Sequence, residues 1–459
     1  MVIKGKKFLV VGLGVSGAAA ARFLKKRGAS VTVTDKAKEE DICPLAGEMR
    51  KMGIKLELGR HKIDSFENSD VIIISPGVSD TIEPIKRAKE KGINVIGEIE
   101  LASRFIKEPV VAITGTNGKT TTTELLAEML EYSGFNLFVG GNIGNPLIEY
   151  LDKNNRAEIV VAEISSFQLD TINTFRPKIA VLLNITEDHL DRYPDFEAYA
   201  QAKAKIFKNQ QNEDIAVLNG ADRFIRLMTE NIKSQKCFFN FHNANEKGAA
   251  ITGENLVVDI SGGQKYFFDL SSINLFGGHN MENIAAACLG ALAAGGTIGG
   301  IEKALRNFKG LSHRLEYITS INNVKYFNDS KATNVDAVSK AIESFSRPII
   351  LIMGGRCKGG NYDILGDQIR RNIKKLILIG EAGETIKSAL QHKCKGGIKS
   401  ADTMEEAVFF ANQAASPGDI VLLSPACSSF DMYRSYAERG EIFCKAVAIL
   451  RETDDRQKR

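Results

Sequence analysis

A glycine-centred loop, GTNGKT, lies between an apolar, β-branched run at 110–113 and a segment whose Leu125, Leu126, Met129 and Leu130 recur at helical spacing. Strand, loop and helix in that order make a phosphate cradle. Glycines let backbone N–H groups point at phosphate oxygens, the helix start adds positive potential, Lys119 neutralises charge, and a threonine hydroxyl can hold Mg²⁺. The standard pattern has a Gly five residues before Gly118; Ile113 stands there, so the loop is a shortened variant.

Polar groups at other strand ends extend this chemistry. Glu163 follows VVA and NITEDHLDRY follows AVLL, which makes the carboxylate and His189 candidates to ligate or flank a divalent cation near the phosphates. Lys203 and Lys205 lie two residues apart on a predicted helix and therefore face different ways. A buried, neutral lysine amine can add CO₂ and become a carbamate, turning a cation into a two-oxygen metal ligand. Spacing alone favours the blander state, two solvated lysines. Further on, NDSKATN, GGRCKGG and SPACSSFDMYRSYAERG each follow an apolar run. Each sets small residues with a cation or hydroxyls at a strand end, as an anionic substrate requires.

An alternating α/β scaffold is needed to position these groups. KFLVV (7–11) reads as a buried strand, GLGVSG as a loop, Ala18–Lys26 as a helix ended by Gly28, and VTVTD as a second strand. Asp35 then falls near the spacing of a dinucleotide fingerprint, a weak signal alone. GEIELASRFIKEP reads as a polar-flanked helix leading to the phosphate loop. Strands at 157–163, 178–184, 214–219 and 237–241 alternate with helices, as in a largely parallel sheet. Residues 242–277 look like a small antiparallel annex, and GLSHRLEYI a hinge before a third α/β unit. The expected architecture is α/β with three domains: 1–97, Rossmann-like; 98–310, P-loop ATPase-like with a mostly parallel sheet; 311–459, Rossmann-like. Ligands should sit at strand C-terminal ends.

Composition removes several function classes. The 60 basic and 56 acidic residues are interspersed, with a net charge of +4, so no nucleic-acid surface is encoded. Seven scattered cysteines without a CxxC pair argue against a disulfide framework or a zinc site and suit a reducing, cytoplasmic location. The apolar run near the N-terminus breaks at Gly12 and Gly14, so it reads as a strand rather than a signal peptide. Nothing approaches the ~18 apolar residues of a membrane span.

Taken together, TGTNGKT, EISSFQLD, NITEDHLDRY, GGHNMENIAAA, LSHRLE, NDSKATN, IMGGRCKGG and SPACSSFDMYRSYAERG resemble the ATP-dependent ligases of peptidoglycan precursor synthesis, the Mur ligase family. The resemblance runs from Gly12 to Gly440. SPGV (75–78), NDSKATN and SFDMYRSYAERG are the signals that, within the family, imply UDP-N-acetylmuramoyl-L-alanine and D-glutamate as substrates. For ATP, the resemblance implies Gly115, Thr116, Asn117, Gly118, Lys119, Thr120 and Thr121 at the phosphates, with Asn280, Asn283, Arg314 and Asp329 lining the nucleotide. It implies two Mg²⁺ sites, one on Thr120 and Glu163 and one served by His189 and a carbamylated Lys203. Lys119, His189 and Lys203 would be the catalytic groups. Val15, Ser16, Asp35, Lys36, Gly77, Asn142 and His189 would meet the UDP substrate, and Lys331, Thr333, Lys358, Ser429 and Phe430 would hold D-glutamate. A monomer with no nucleic-acid or membrane partner is implied. Two positions depart from the family pattern: Cys357, where an Asp is common, and Lys36-Ala37, which replaces a polar pair.

Three other readings are weaker. A nicotinamide dehydrogenase would explain GLGVSG but not the second phosphate loop. A folate polyglutamate ligase carries its phosphate loop near the chain start, whereas here about one whole domain precedes it. A nucleotide switch should carry an NKxD-type guanine reader, and none is present.

Overall fold

A computed structural model describes all residues except 153–155, 191, 241–246, 261–262, 272, 274, 276, 358 and 458–459. The strands of the described residues form three sheets. The first comprises β1 (Lys7–Val11), β2 (Ser30–Asp35), β3 (Lys55–Leu58), β4 (Val71–Ile74) and β5 (Asn94–Gly97), all parallel, in the order β3-β2-β1-β4-β5. The second contains β6 (Val110–Thr114), β7 (Leu137–Gly141), β8 (Ile159–Glu163), β9 (Ile179–Leu182), β10 (Ile215–Asn219), β11 (Gln235–Phe239), β12 (Gly248–Thr252), β13 (Asn255–Asp259) and β14 (Lys265–Asp269). Its order is β14-β13-β12-β11-β10-β9-β6-β8-β7. Only β12–β13 and β13–β14 pair antiparallel, so the expected annex extends the edge of the main sheet. The third comprises β15 (Glu316–Ile321), β16 (Val324–Asn328), β17 (Ile349–Gly354), β18 (Ile373–Ile379), β19 (Ile398–Ser400) and β20 (Ile420–Leu423), ordered β15-β16-β20-β17-β18-β19 with only β15–β16 antiparallel.

Central parallel strands are covered on both faces, which is why β6, β8, β9, β17 and β20 read as unbroken apolar runs and every residue in them is buried. By packing, the described residues form two compact units. One holds Met1–Ile185, Glu197–Ser271 and Ile284–Asn307, and therefore the first two sheets; the other holds Thr186–Phe196, Ser272–Asn283 and Phe308–Arg459. Among the described residues, no helix is long and apolar enough to cross a membrane.

Inside the first unit, the helix Glu98–Ser103 links the two sheets, and here the polar-flanked reading needs correction: both of its early glutamates are buried. Glu100 accepts the backbone N–H groups of Asn173, Thr174 and Phe175, at 2.8, 2.9 and 2.9 Å, and the Thr174 hydroxyl at 2.6 Å. Burial alone would raise its pKa; these bonds and Arg104 hold it below the usual carboxylate value. Glu98 has only the Ile148 N–H, at 2.7 Å, and its second oxygen is enclosed without a partner. Burial pushes its carboxyl up from 4.5 to about 7; the Ile148 hydrogen bond opposes this and Glu149 adds to it.

The fold therefore favours protonated Glu98. Its contribution is fully present below the unfolded value and is lost as pH rises through about 7. Urea unfolding of Glu98→Gln should show less stability loss between pH 5 and 8 than the parent, with a gain at pH 8 of roughly 1–3 kcal/mol. An identical pH profile in parent and variant would refute that assignment.

Candidate active site

In the first unit, β6 delivers the chain into the phosphate loop and the helix Lys119–Tyr132 leaves it, as the spacing predicts. Gly118 caps that helix at φ +83°, a left-handed conformation costly for a side-chain-bearing residue. The loop is braced by Asn184, just beyond β9. Its carbonyl accepts Thr116 N–H at 3.0 Å, its side-chain oxygen accepts Asn117 N–H at 2.8 Å, and its amide donates to Asn117 O at 3.1 Å. Lys119 Nζ lies over the loop and donates to Gly115 O and Thr116 O, both at 2.8 Å.

Lys203 overturns the solvated expectation. It is 2% exposed, its Nζ donates to Gly115 O at 2.8 Å, and its ammonium sits 4.6 Å from the ring centre of Tyr199, one helical turn earlier. Tyr199 in turn places its hydroxyl 3.1 Å from Thr116 Oγ1. Lys205 does behave as a surface lysine, paired with Asp170 at 2.6 Å. The helix Phe196–Ala204 buries the face bearing Tyr199 and Lys203 and leaves Gln201 exposed, so the two lysines part as their spacing requires.

Glu163 is likewise no solvated strand end. It lies opposite Ile113 in the β6–β8 register and is 1% exposed, because β8 is flanked by β6 and β7. Its Oε1 accepts the Asn142 amide at 2.7 Å, while Oε2 is enclosed with no partner. A buried carboxylate oxygen left unsatisfied next to a phosphate loop fits a cation ligand. Among the described residues, no three His, Cys, Asp or Glu side chains cluster as a ready-made metal cage.

The first sheet holds a separate cavity of about 630 Å³, lined in part by Val15, Ser16, Asp35, Lys36, Gly77, Ser75 and His61. Five of the seven residues expected at the UDP substrate thus share one cleft; Asn142 is engaged with Glu163, and His189 belongs to the second unit. Val15 and Ser16 belong to the first turn of the helix Val15–Lys26, three residues earlier than the apolar pattern suggested. Gly17 makes that early start possible, because a Cβ there would lie 1.9 Å from Gly12 O. Asp35 ties the loop down by accepting Leu13 N–H at 2.6 Å.

The second unit carries the remaining candidates. Asn280 and Asn283 are buried and bonded to each other at 3.1 Å on the helix Gly278–Ala293. Asp329, just past β16, accepts Ser424 Oγ at 2.8 Å and Leu315 N–H at 3.2 Å; burial nonetheless pushes its carboxyl up to about 7, against those bonds and nearby Arg314. His279 is held neutral, since burial, Lys340 and Arg314 pull it down to about 4. Lys331 Nζ donates to the Tyr436 hydroxyl at 3.1 Å. Thr333 and His189 line one cavity of about 190 Å³ with Asp188, Asp336 and Asn361. Ser429 is buried and Phe430 exposed in the loop after β20. Lys358 lies outside the described residues.

Arg439 escaped the sequence reading. It has no exposed surface and donates to Ser330 Oγ at 2.9 Å, Ser330 O at 2.7 Å, Cys427 O at 3.1 Å and Gly354 O at 3.4 Å. One guanidinium therefore ties the loops after β16 and β20 to the last residue of β17, the three strands being neighbours in the sheet. A signal existed: Arg439 shares the i, i+4, i+7, i+8 stripe of Phe443, Ala446 and Val447, where a charge is out of place unless bonded. Asn184 heads NITEDHLDRY and Tyr199 opens the Y-x-x-x-K that ends at Lys203, yet the motifs alone gave neither a role.

Residues 6–97 match the model of the Mur ligase MurD-like N-terminal domain, 113–291 the Mur ligase middle domain, and 313–427 the Mur ligase glutamate ligase domain. A protein of Desulfosudis oleivorans named UDP-N-acetylmuramoylalanine–D-glutamate ligase is 50% identical over 451 residues, covering 98% of each chain. A Geotalea daltonii protein of the same name is 48% identical and covers 99% of this chain and 100% of its own. The MurF ligase of Thermotoga maritima in complex with ADP superposes with a TM-score of 0.61 at 19% identity, over 97% of this chain and 95% of that one, a likeness of fold.

Proposed function

The chain belongs to the Mur ligase family, and from that membership we propose that it is an ATP-dependent amide ligase adding D-glutamate to UDP-N-acetylmuramoyl-L-alanine, in peptidoglycan precursor synthesis. The observation that carries the chemistry is that Lys119 and Lys203 both bond the phosphate loop at Gly115, while buried Glu163 lies beside the strand that leads into it. The choice of substrates is supported by relatives of that name matching almost end to end.

A carboxylate is a poor acyl donor because oxide is a poor leaving group. The alanyl carboxylate therefore attacks the γ-phosphorus of ATP, the bond to the β-phosphate oxygen breaks, ADP leaves, and an acyl phosphate results. The amine of D-glutamate then attacks the acyl carbon, and inorganic phosphate departs as the amide forms. Lys119 and the N-terminus of its helix offset the crowding of carboxylate against phosphate, chiefly by position and charge. Thr120 and Glu163 would hold one Mg²⁺, whose charge would stabilise the phosphoryl group in transfer; Lys203, as a carbamate, and His189 are assigned to a second.

Val15, Ser16, Asp35, Lys36 and Gly77 grip the UDP end of the substrate, with Asn142 and His189 also assigned to it. Lys331, Thr333, Lys358, Ser429 and Phe430 take D-glutamate, and Asn280, Asn283, Arg314 and Asp329 take the nucleoside. The domains run 1–97, 98–310 and 311–459, with hinges near 97 and 310 to exclude water from the acyl phosphate. The enzyme acts in the cytoplasm as a monomer. ADP release should require UDP-N-acetylmuramoyl-L-alanine and D-glutamate together. Turnover with L-glutamate or another amino acid in its place, or none with D-glutamate, sinks the assignment.

A further inference from the structure

Cys357 and Cys427 face each other at the ends of β17 and β20, and the proposed ligase reaction uses neither thiol. Arg356 and Ser428 form an isolated antiparallel bridge and exchange both backbone hydrogen bonds, at 2.9 and 3.0 Å. Cys357 and Cys427 each stand one residue from that bridge. Tyr362 brings the two thiols to one point: its hydroxyl is 3.5 Å from Cys357 Sγ and 3.1 Å from Cys427 Sγ. Both sulfurs thus touch one hydroxyl, and a disulfide needs that hydroxyl to give way as the two side chains rotate together. Cys357 is exposed and Cys427 buried.

We propose that Cys357 and Cys427 form a peroxide-reactive thiol pair, with exposed Cys357 as the attacking sulfur and buried Cys427 as the thiol that resolves it to a disulfide. Partial burial would push the Cys357 thiol up, but hydrogen bonds from Tyr362 and from the Gly359 and Gly360 N–H groups outweigh it and leave the thiol below its ordinary value. The Gly359 N–H is 3.3 Å from the sulfur. Burial pushes Cys427 up to about 11, so it stays protonated until called on. Low-pKa exposed thiolates beside a resolving thiol are the ones that peroxides oxidise selectively.

The steps balance. Cys357 ionises and its proton passes to solvent; the thiolate attacks one peroxide oxygen, the S–O bond forms, the O–O bond breaks, and the departing hydroxide takes up that proton and leaves as water. The sulfur loses two electrons and the peroxide gains them. Cys427 then passes its proton to Tyr362 Oη as Tyr362 gives its own to the sulfenic hydroxyl; the S–S bond forms, the S–O bond breaks, and water leaves. The bond would staple the loop after β17 to the loop after β20.

Full-length protein exposed to a small excess of hydrogen peroxide, alkylated and digested, should yield a Cys357–Cys427 linked peptide, lighter by about 2 Da than the reduced pair, while exposed Cys43 remains alkylatable. In Cys427→Ser, dimedone should trap roughly tenfold more Cys357 sulfenic acid than in the parent. Oxidation of Cys43 ahead of Cys357, passage of Cys357 to sulfinic acid in the parent without a disulfide, or equal dimedone trapping in both proteins would overturn the proposal. The parent mapping needs no substitution, so a poorly folding variant leaves the test intact.

Discussion

Lys203→Ala should lower kcat by at least roughly 10²–10³, the scale seen when one preorganised charge-stabilising group is removed from a phosphoryl-transfer or oxyanion site. The side chain is almost fully enclosed, its Nζ touches Gly115 O, and it is stacked on Tyr199, which itself contacts Thr116. Two roles are separable. As a packing element, Lys203 would be mimicked by methionine and unaffected by small anions. As a carbamate, it supplies two oxygens that a small carboxylate such as formate or acetate can partly replace, so such anions should restore part of the activity of Lys203→Ala and do nothing for the parent. Lys205→Ala, whose partner is the surface carboxylate Asp170, should stay near parental activity. A Lys203→Ala enzyme of normal activity would exclude the carbamate, and equal loss in both variants would exclude the distinction drawn between the two lysines.

What sequence could and could not reveal follows from the range of the interactions. The phosphate loop was legible because strand, glycines, lysine and helix are contiguous, and the parallel strands because burial on both faces leaves an apolar run. The five residues that share the cleft of the first sheet were reachable from GLGVSG, VTVTD and SPGV. Burial was not legible. Glu163 and Lys203 look solvated by type, and only the flanking β6 and β7, or the ring of Tyr199 against the phosphate loop, enclose them. Glu98 and Glu100 were misread as a polar flank for the same reason: their partners, Ile148 and Asn173–Phe175, lie 50 or more positions away. Pairings of that separation leave no periodic trace.

Arg439→Met should cost the second unit roughly 3–5 kcal/mol of stability. The guanidinium is satisfied by Ser330 Oγ and by the carbonyls of Ser330, Cys427 and Gly354. Methionine fills much of the volume but takes the donor from three buried carbonyls, at about 1–3 kcal/mol each where neighbours cannot rearrange, while Ser330 Oγ keeps its bond to Tyr436 O. Burial draws the Arg439 guanidinium down to about 10, against the pull of Cys427, Asp431 and Tyr433, so it stays charged at neutral pH and its removal is not offset by relief of a neutralised group. Because the acceptors lie at the ends of β16, β20 and β17, the loss should not stop at stability. In variants that remain folded, Arg439→Lys foremost, the KM for D-glutamate should rise severalfold while the KM for the UDP substrate, whose proposed cleft lies in the first sheet, stays fixed. An equal change in both KM values would mark Arg439 as a general stabiliser, and no change in the urea midpoint of Arg439→Met would mean that the three strand ends hold their positions without it.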